Sequence, residues 1–199
     1  MKTFLAFLCG CLLASGLAVA QDTVSTPNGA KSDAILAKIH KVDMLVQLLP
    51  LTMRKEQFEP ILSALDKARQ TEKKTRTLED TELAKLDADM SDAIQKAFDK
   101  GTYPPKDMQL HAAKVIRALG INRQIALGEM IQTVYDAVTK TFNAGQIKVM
   151  ENSLDAAALD PSVKKESMDS TAKVKFFVRA VFLDSAAYDL LIELQKKAS

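Results

Sequence analysis

The sequence predicts an all-α protein, an irregular bundle of six or seven helices with essentially no β-strand. Three observations carry this expectation. Apolar residues recur at spacings of three and four from Ser32 almost to the C-terminus, the period of a half-buried helix. The stripes are punctuated by Pro50, Gly101, Pro104, Pro105 and Pro161, residues that stop or start helices. The one run dense in β-branched and aromatic residues, Phe176 to Phe182, has no second such run to pair with as a sheet.

The first twenty residues, MKTFLAFLCGCLLASGLAVA, stand apart. They have a basic start at Lys2, an apolar run from Phe4 to Leu13, and small residues at Ala18 and Ala20. That is the layout of a secretory leader, with cleavage expected between Ala20 and Gln21. Two alternatives stay open: lipid attachment at Cys11, and a leader retained as an anchor. Cleavage after Ala20 removes both cysteines, Cys9 and Cys11. An exported chain, periplasmic or extracellular, then holds together by packing alone. Gln21 to Lys31 (QDTVSTPNGAK) is polar and reads as a flexible tether ahead of one domain spanning 32–199.

Within that domain Ile35, Ile39, Val42, Val46 and Leu49 draw one apolar stripe, capped at Ser32 or Asp33 and stopped by Pro50. A second helix begins near Met53 to Lys55, with Phe58, Ile61, Leu62 and Leu65 on its stripe and Pro60 about a turn in. Apolar residues vanish from Gln70 to Thr77, which reads as a solvated helix extension or a turn. The pattern resumes through Leu78, Leu83, Leu86, Met90, Ile94 and Phe98, and ends at Gly101. Gly101 to Pro105 is the clearest loop. One long helix is expected beyond it, from Met108 to Phe142, because its two halves keep phase across an eleven-residue step. A break at Gly120 is the alternative. Asn143 then starts a short helix, Asp160-Pro161-Ser162 caps another, and Val174 to Phe182 and Leu190 to Leu194 complete the bundle.

Charge and motif content bound the chemistry. Without Lys2 the chain carries 26 basic (27 − 1) and 25 acidic residues, so no global charge drives it toward nucleic acid or an anionic surface. No stretch after the leader is apolar enough for a membrane span. No nucleophile elbow, glycine-rich phosphate loop or zinc-protease signature occurs, so neither an enzyme nor a cofactor site is expected. His40 with Asp43, and His111 with Asp107, could each make a two-ligand helical site, short of the three or four ligands zinc takes. Arg54, Lys55, Lys67, Arg69, Lys73, Lys74 and Arg76 form a basic segment, and Glu79 to Asp92 an acidic one. The two are expected to attract each other across a bend; a basic rim facing an acidic partner is the alternative.

One local signature occurs twice. In Phe142-Asn143-Ala144-Gly145-Gln146, Asn143 can accept from the Gln146 amide while the Gln146 side chain reaches back, a capping box. Met53-Arg54-Lys55-Glu56-Gln57 has the same spacing with Arg54 in the capping position; Leu51-Thr52 has fitting residue types two positions too early. The candidate capping residues are therefore Asn143, Gln146, Thr52 and Gln57. Two such starts resemble the LTxxQ pattern of Spy/CpxP-like periplasmic proteins. The likeness covers about ten residues and departs from the pattern at Arg54 and Phe142. It implies a small helical protein, often a homodimer, acting as an ATP-independent chaperone or stress sensor.

The expected function is that of a non-enzymatic exported binding protein whose partner is a protein or an unfolded client. The alternative is a self-assembling envelope module, with metal sensing at His40 or His111 a third reading. The binding reading requires apolar side chains left exposed on the folded chain; stripes buried throughout would exclude it.

Overall fold

A computed structural model describes residues 29–153 and 167–198. The leader, Cys11, the tether as far as Asn28 and the Asp160-Pro161-Ser162 cap lie outside the described residues. Seven α-helices and no strand occur among those described, an all-α irregular bundle. They are α1 (Gly29–Leu48), α2 (Lys55–Ala84), α3 (Asp87–Lys100), α4 (Lys106–Thr141), α5 (Ala144–Ser153), α6 (Ser170–Phe177) and α7 (Ala187–Lys197). A 3-10 turn (Leu49–Leu51) follows α1, and a π-helical turn (Val178–Phe182) follows α6. The tether expected to run to Lys31 is already helical from Gly29.

The chain divides after His40, within α1, into two units. In the first, every side chain from Lys31 to His40 is exposed. The second unit, from Lys41 on, contains the core. Met44 and Leu48 enter it from the end of α1, and Leu51 from the 3-10 turn. Phe58, Ile61, Ala64, Leu65 and Ala68 enter from α2, and Met130, Val134, Val138 and Phe142 from the end of α4. Met150, Val174, Phe177, Val178, Val181, Phe182, Leu190 and Leu191 close it. Phe182 sits between two rings, edge-on to Phe177 at 5.6 Å and tilted against Phe142 at 6.2 Å.

The stripe expected from Val174 to Phe182 is buried, but not as one α-helix. The Leu183 amide reaches back five residues to the Val178 carbonyl at 2.9 Å. That wider turn brings Phe177, Val178, Val181 and Phe182 onto the same buried side, which a 3.6-residue period does less well.

Helices α2 and α4 run antiparallel. Gln57 at the start of α2 bonds the Thr141 carbonyl at the end of α4, while Glu79 far along α2 pairs with Arg123 in the middle of α4. The polar run Gln70 to Thr77 is therefore a helix extension, and α2 continues to Ala84 with Pro60 inside it. The chain breaks at Lys85-Leu86, and α3 ends at Gly101, whose φ of 63° makes the left-handed cap. Helix α4 is unbroken through Gly120, as its constant phase predicts. Beyond Ala68 on α2 and before Ala126 on α4, only Glu79, Leu86, Ala93 and Leu119 are buried among the described residues. The hairpin is thus a packed base and a thin arm.

Candidate functional site

The two capping sequences meet. Gln57 and Gln146 are both buried, and their side-chain amides pair face to face: each Nε2 donates to the other's Oε1 at 3.0 Å. Gln57 Oε1 also accepts from the Arg54 amide at 2.9 Å, and its Nε2 donates to the Thr141 carbonyl at 2.9 Å. Gln146 Oε1 accepts from the Asn143 amide at 3.0 Å, and its Nε2 donates to the Leu51 carbonyl at 2.8 Å. Both protons and both lone-pair directions of each amide are used. Turning either amide over would set N–H against N–H and oxygen against oxygen at every contact, so the orientation is fixed. The junction ties the α1–α2 turn to the α4–α5 turn.

Only one of the two boxes is complete. Asn143 Oδ1 accepts from the Gln146 amide at 3.0 Å, closing the box at α5. At α2 the N-cap is Arg54, whose guanidinium cannot accept, so the Gln57 amide turns to the Arg54 carbonyl at 2.9 Å. Thr52 is not the helix cap that its residue type suggests. Its amide closes the 3-10 turn onto the Leu49 carbonyl at 3.0 Å, and its φ of 43° is left-handed. For a β-branched residue that conformation costs about 1–2 kcal/mol. The bend sends the chain through Met53 and Arg54 into α2 with Leu51 wholly buried behind it.

The basic residues do not line one edge. All seven side chains are exposed, but α2 distributes them. Arg69, Lys73 and Arg76, spaced by four and three, share one side; Lys67 and Lys74, seven apart, share another about 140° away. Arg69 lies over the Tyr188 ring at 4.0 Å, beside the bond from the Tyr188 hydroxyl to Asp66. That donated bond holds the phenol above its ordinary ionisation range. Arg76 pairs with Glu72 one turn back, and Arg54 with Glu56. The expected attraction between the basic and acidic segments does not occur: no ion pair among the described residues joins them. A continuous α2 keeps them at different heights along one helix, and the acidic groups pair elsewhere, Glu82 with Lys85 and Asp92 with Lys96.

Glu79, the first residue of the acidic segment, is the exception. It is buried, and Arg123 grips it with Nε on one oxygen and Nη2 on the other, the latter at 2.8 Å. The bonds to Glu79 raise the Arg123 pKa further above its ordinary value. Their separation of 44 residues gives no local signal. Only the three-and-four spacing of the α2 stripe, which continued from Phe58, Ile61, Leu65 and Ala68 lands on Glu79, hints at a buried carboxylate.

The larger departure concerns the apolar stripes. Ile35, Ile39, Val42, Val46 and Leu49 are all more than half exposed. On the arm so are Ile94, Leu110, Ile116, Ile121 and Ile125, with Phe98 86% and Tyr103 91% exposed. Helical periodicity marks an amphipathic face, but what covers that face is a property of the whole fold. His111 is exposed near the start of α4 and His40 is exposed on α1. No group of three His, Cys, Asp or Glu able to hold a metal ion occurs among the described residues. No described helix is long and apolar enough to cross a membrane.

No family model, no curated protein and no solved structure matches this chain.

Toward its C-terminal end α5 is clasped to α6. The Glu151 carboxylate accepts from the Ser170 hydroxyl and from Lys148 Nζ at 2.9 Å. The Ser170 bond first, then Lys148, lowers the Glu151 pKa below its ordinary value of 4.5. A lowered carboxylate stabilises the fold above its unfolded value and loses that contribution as pH falls through its folded value. Protection of the amides at the start of α6, measured relative to their intrinsic exchange rates, is therefore expected to fall below pH 4.5, and Glu151→Gln to remove that pH dependence.

Proposed function

We propose that this chain is an exported, non-enzymatic binding protein that holds unfolded protein segments on its helical arm, in the manner of an ATP-independent chaperone. The observation that carries the reading is the exposed apolar set on α3, its following loop and α4. Phe98, Tyr103, Ile94, Leu110, Ile121 and Ile125 stand in water on an arm with almost no core of its own. Isolated exposed apolar residues are ordinary, but large ones recurring along one thin hairpin suit the capture of apolar segments. Lys96, Lys100, Lys106, Lys114 and Arg117 lie among them on the same elements and would add a screened attraction for acidic segments. The leader at 1–20 supports export, and the paired capping sequences support a likeness to Spy/CpxP-like proteins.

The test is suppression of aggregation of a denatured client by the chain from Gln21 to Ser199, at low and at high salt. Suppression near equal molar ratio is expected, weaker at high salt and reduced several-fold by Ile94→Ser with Phe98→Ser. Both side chains are exposed, so helicity should be unchanged. No suppression at molar excess, or equal suppression by the double variant, overturns the reading.

A further inference from the structure

The exposed stripe of α1 has a different character from the arm. Ile35, Ile39, Val42 and Val46 follow spacings of four, three and four, a heptad seam along α1, and Leu49, three residues on, continues the spacing into the 3-10 turn. In heptad terms Ile39 and Val46 are a residues, and Ile35, Val42 and Leu49 are d residues. The opposite side, at c and f, carries Met44 and Leu48, which are buried in the core of the second unit. Helix α1 is therefore apolar on two sides. One side is used and the other, at 51–60% exposure, is not.

We infer that this seam joins copies of the chain through a parallel, in-register coiled coil. The charges beside it select the partner and the direction. Lys38 occupies a g position and Asp43 the e position five residues on, and both are exposed. In a parallel assembly g faces the e position of the following heptad on the neighbour, so Lys38 of each copy meets Asp43 of another. In an antiparallel one Lys38 would face Lys38 and Asp43 would face Asp43. The seam is thus self-complementary in one direction and self-repelling in the other. A short coiled coil alone would be marginal, but the docked c/f side already holds the second half of α1 as helix. The β-branched residues at both a and d favour three strands over two.

The experiment is sedimentation of the chain from Gln21 to Ser199 over a wide concentration range. Wild type is expected to associate reversibly. Val42→Asp, at an exposed position, is expected to stay monomeric with unchanged helicity. Lys38→Glu or Asp43→Lys alone should raise the dissociation constant about tenfold, from the loss of attraction and gain of repulsion at each symmetric pair. The two together should restore it. The chain from Gln21 has no cysteine, so Ile39→Cys supplies a single thiol. In register, a faces a and the thiols should oxidise to a cross-link between copies. A monomeric wild type overturns the inference. So does a Val42→Asp variant that keeps the wild-type mass, or an Ile39→Cys oligomer that does not cross-link. A monomer that binds anionic vesicles through α1 would overturn it in favour of a lipid surface. Client capture is scored separately on the Val42→Asp variant, whose arm is intact, so the two proposals fail independently.

Discussion

Gln146→Leu is expected to lower the stability of the fold by about 3 kcal/mol, measured by chemical unfolding. Leucine fills a similar volume but supplies neither donor nor acceptor. The Leu51 carbonyl loses its donor and the Asn143 amide its side-chain acceptor. Gln57, itself buried, loses one partner for its N–H and one for its oxygen. Leaving a buried polar group unpaired costs about 1–3 kcal/mol, and water entering beside the turn recovers part of it. Gln57→Leu should cost a similar amount for the mirrored reason, stranding the Thr141 carbonyl and the Arg54 amide. The double variant is the discriminating one. It removes both halves of the amide pair, so neither side chain is left unpaired by the other. Its cost should fall short of the sum of the single variants by about 1–2 kcal/mol. Strict additivity would mean that the two glutamines act only as separate helix caps and that their pairing contributes nothing.

That junction shows how much of this molecule is legible in its sequence. Gln146 and Asn143 were readable as a capping box because the box is local: four residues, one turn, one set of bonds. Gln57 was readable as its counterpart by spacing. What no spacing could reveal is that the two glutamines cap each other, since that depends on α2 and α4 lying antiparallel with their ends level. Thr52 shows the converse failure. Its type suits a cap, yet the buried Leu51 and the 3-10 turn consume its amide and move the helix start to Arg54. Element boundaries at Gly101, Pro105 and Asn143 follow from residues with few conformational options, and the structure keeps them.

The stripes divide in the same way. Periodicity finds the apolar side of α1, α3 and α4 correctly, but a helix can have two apolar sides. On α1 the strict heptad side is the exposed one, and the less regular pair Met44 and Leu48 is buried. The candidate surface was therefore visible as a pattern but not as a surface. The exposure on α3 and α4 follows from the arm, whose partly buried side on α2 is built from Thr71, Glu72, Thr75 and Glu79 rather than from large apolar groups.

The arm depends on one ion pair for its polar interior, and Arg123→Ala is expected to destabilise it by about 2 kcal/mol. Removing one partner of a buried pair costs about 3–5 kcal/mol when the survivor stays desolvated. Here the Glu79 side chain is 8% exposed but the Arg123 side chain is 44% exposed, so water screens the guanidinium and the cost is discounted accordingly. The loss should be local. Amides of α2 beyond Ala68 and of α4 before Ala126 should exchange faster in hydrogen–deuterium exchange, while those around Phe177 and Phe182 should keep their protection. Uniform loss of protection would mean that base and arm unfold as one unit. Glu79→Leu with Arg123→Leu supplies the apolar interior the arm lacks, and should restore the lost stability or exceed it. That variant also bears on binding. If client capture relies on an arm with a thin, polar interior and therefore able to open, the apolar double variant should be more stable and a weaker suppressor of aggregation. If the exposed side chains alone suffice, it should be more stable and equally active.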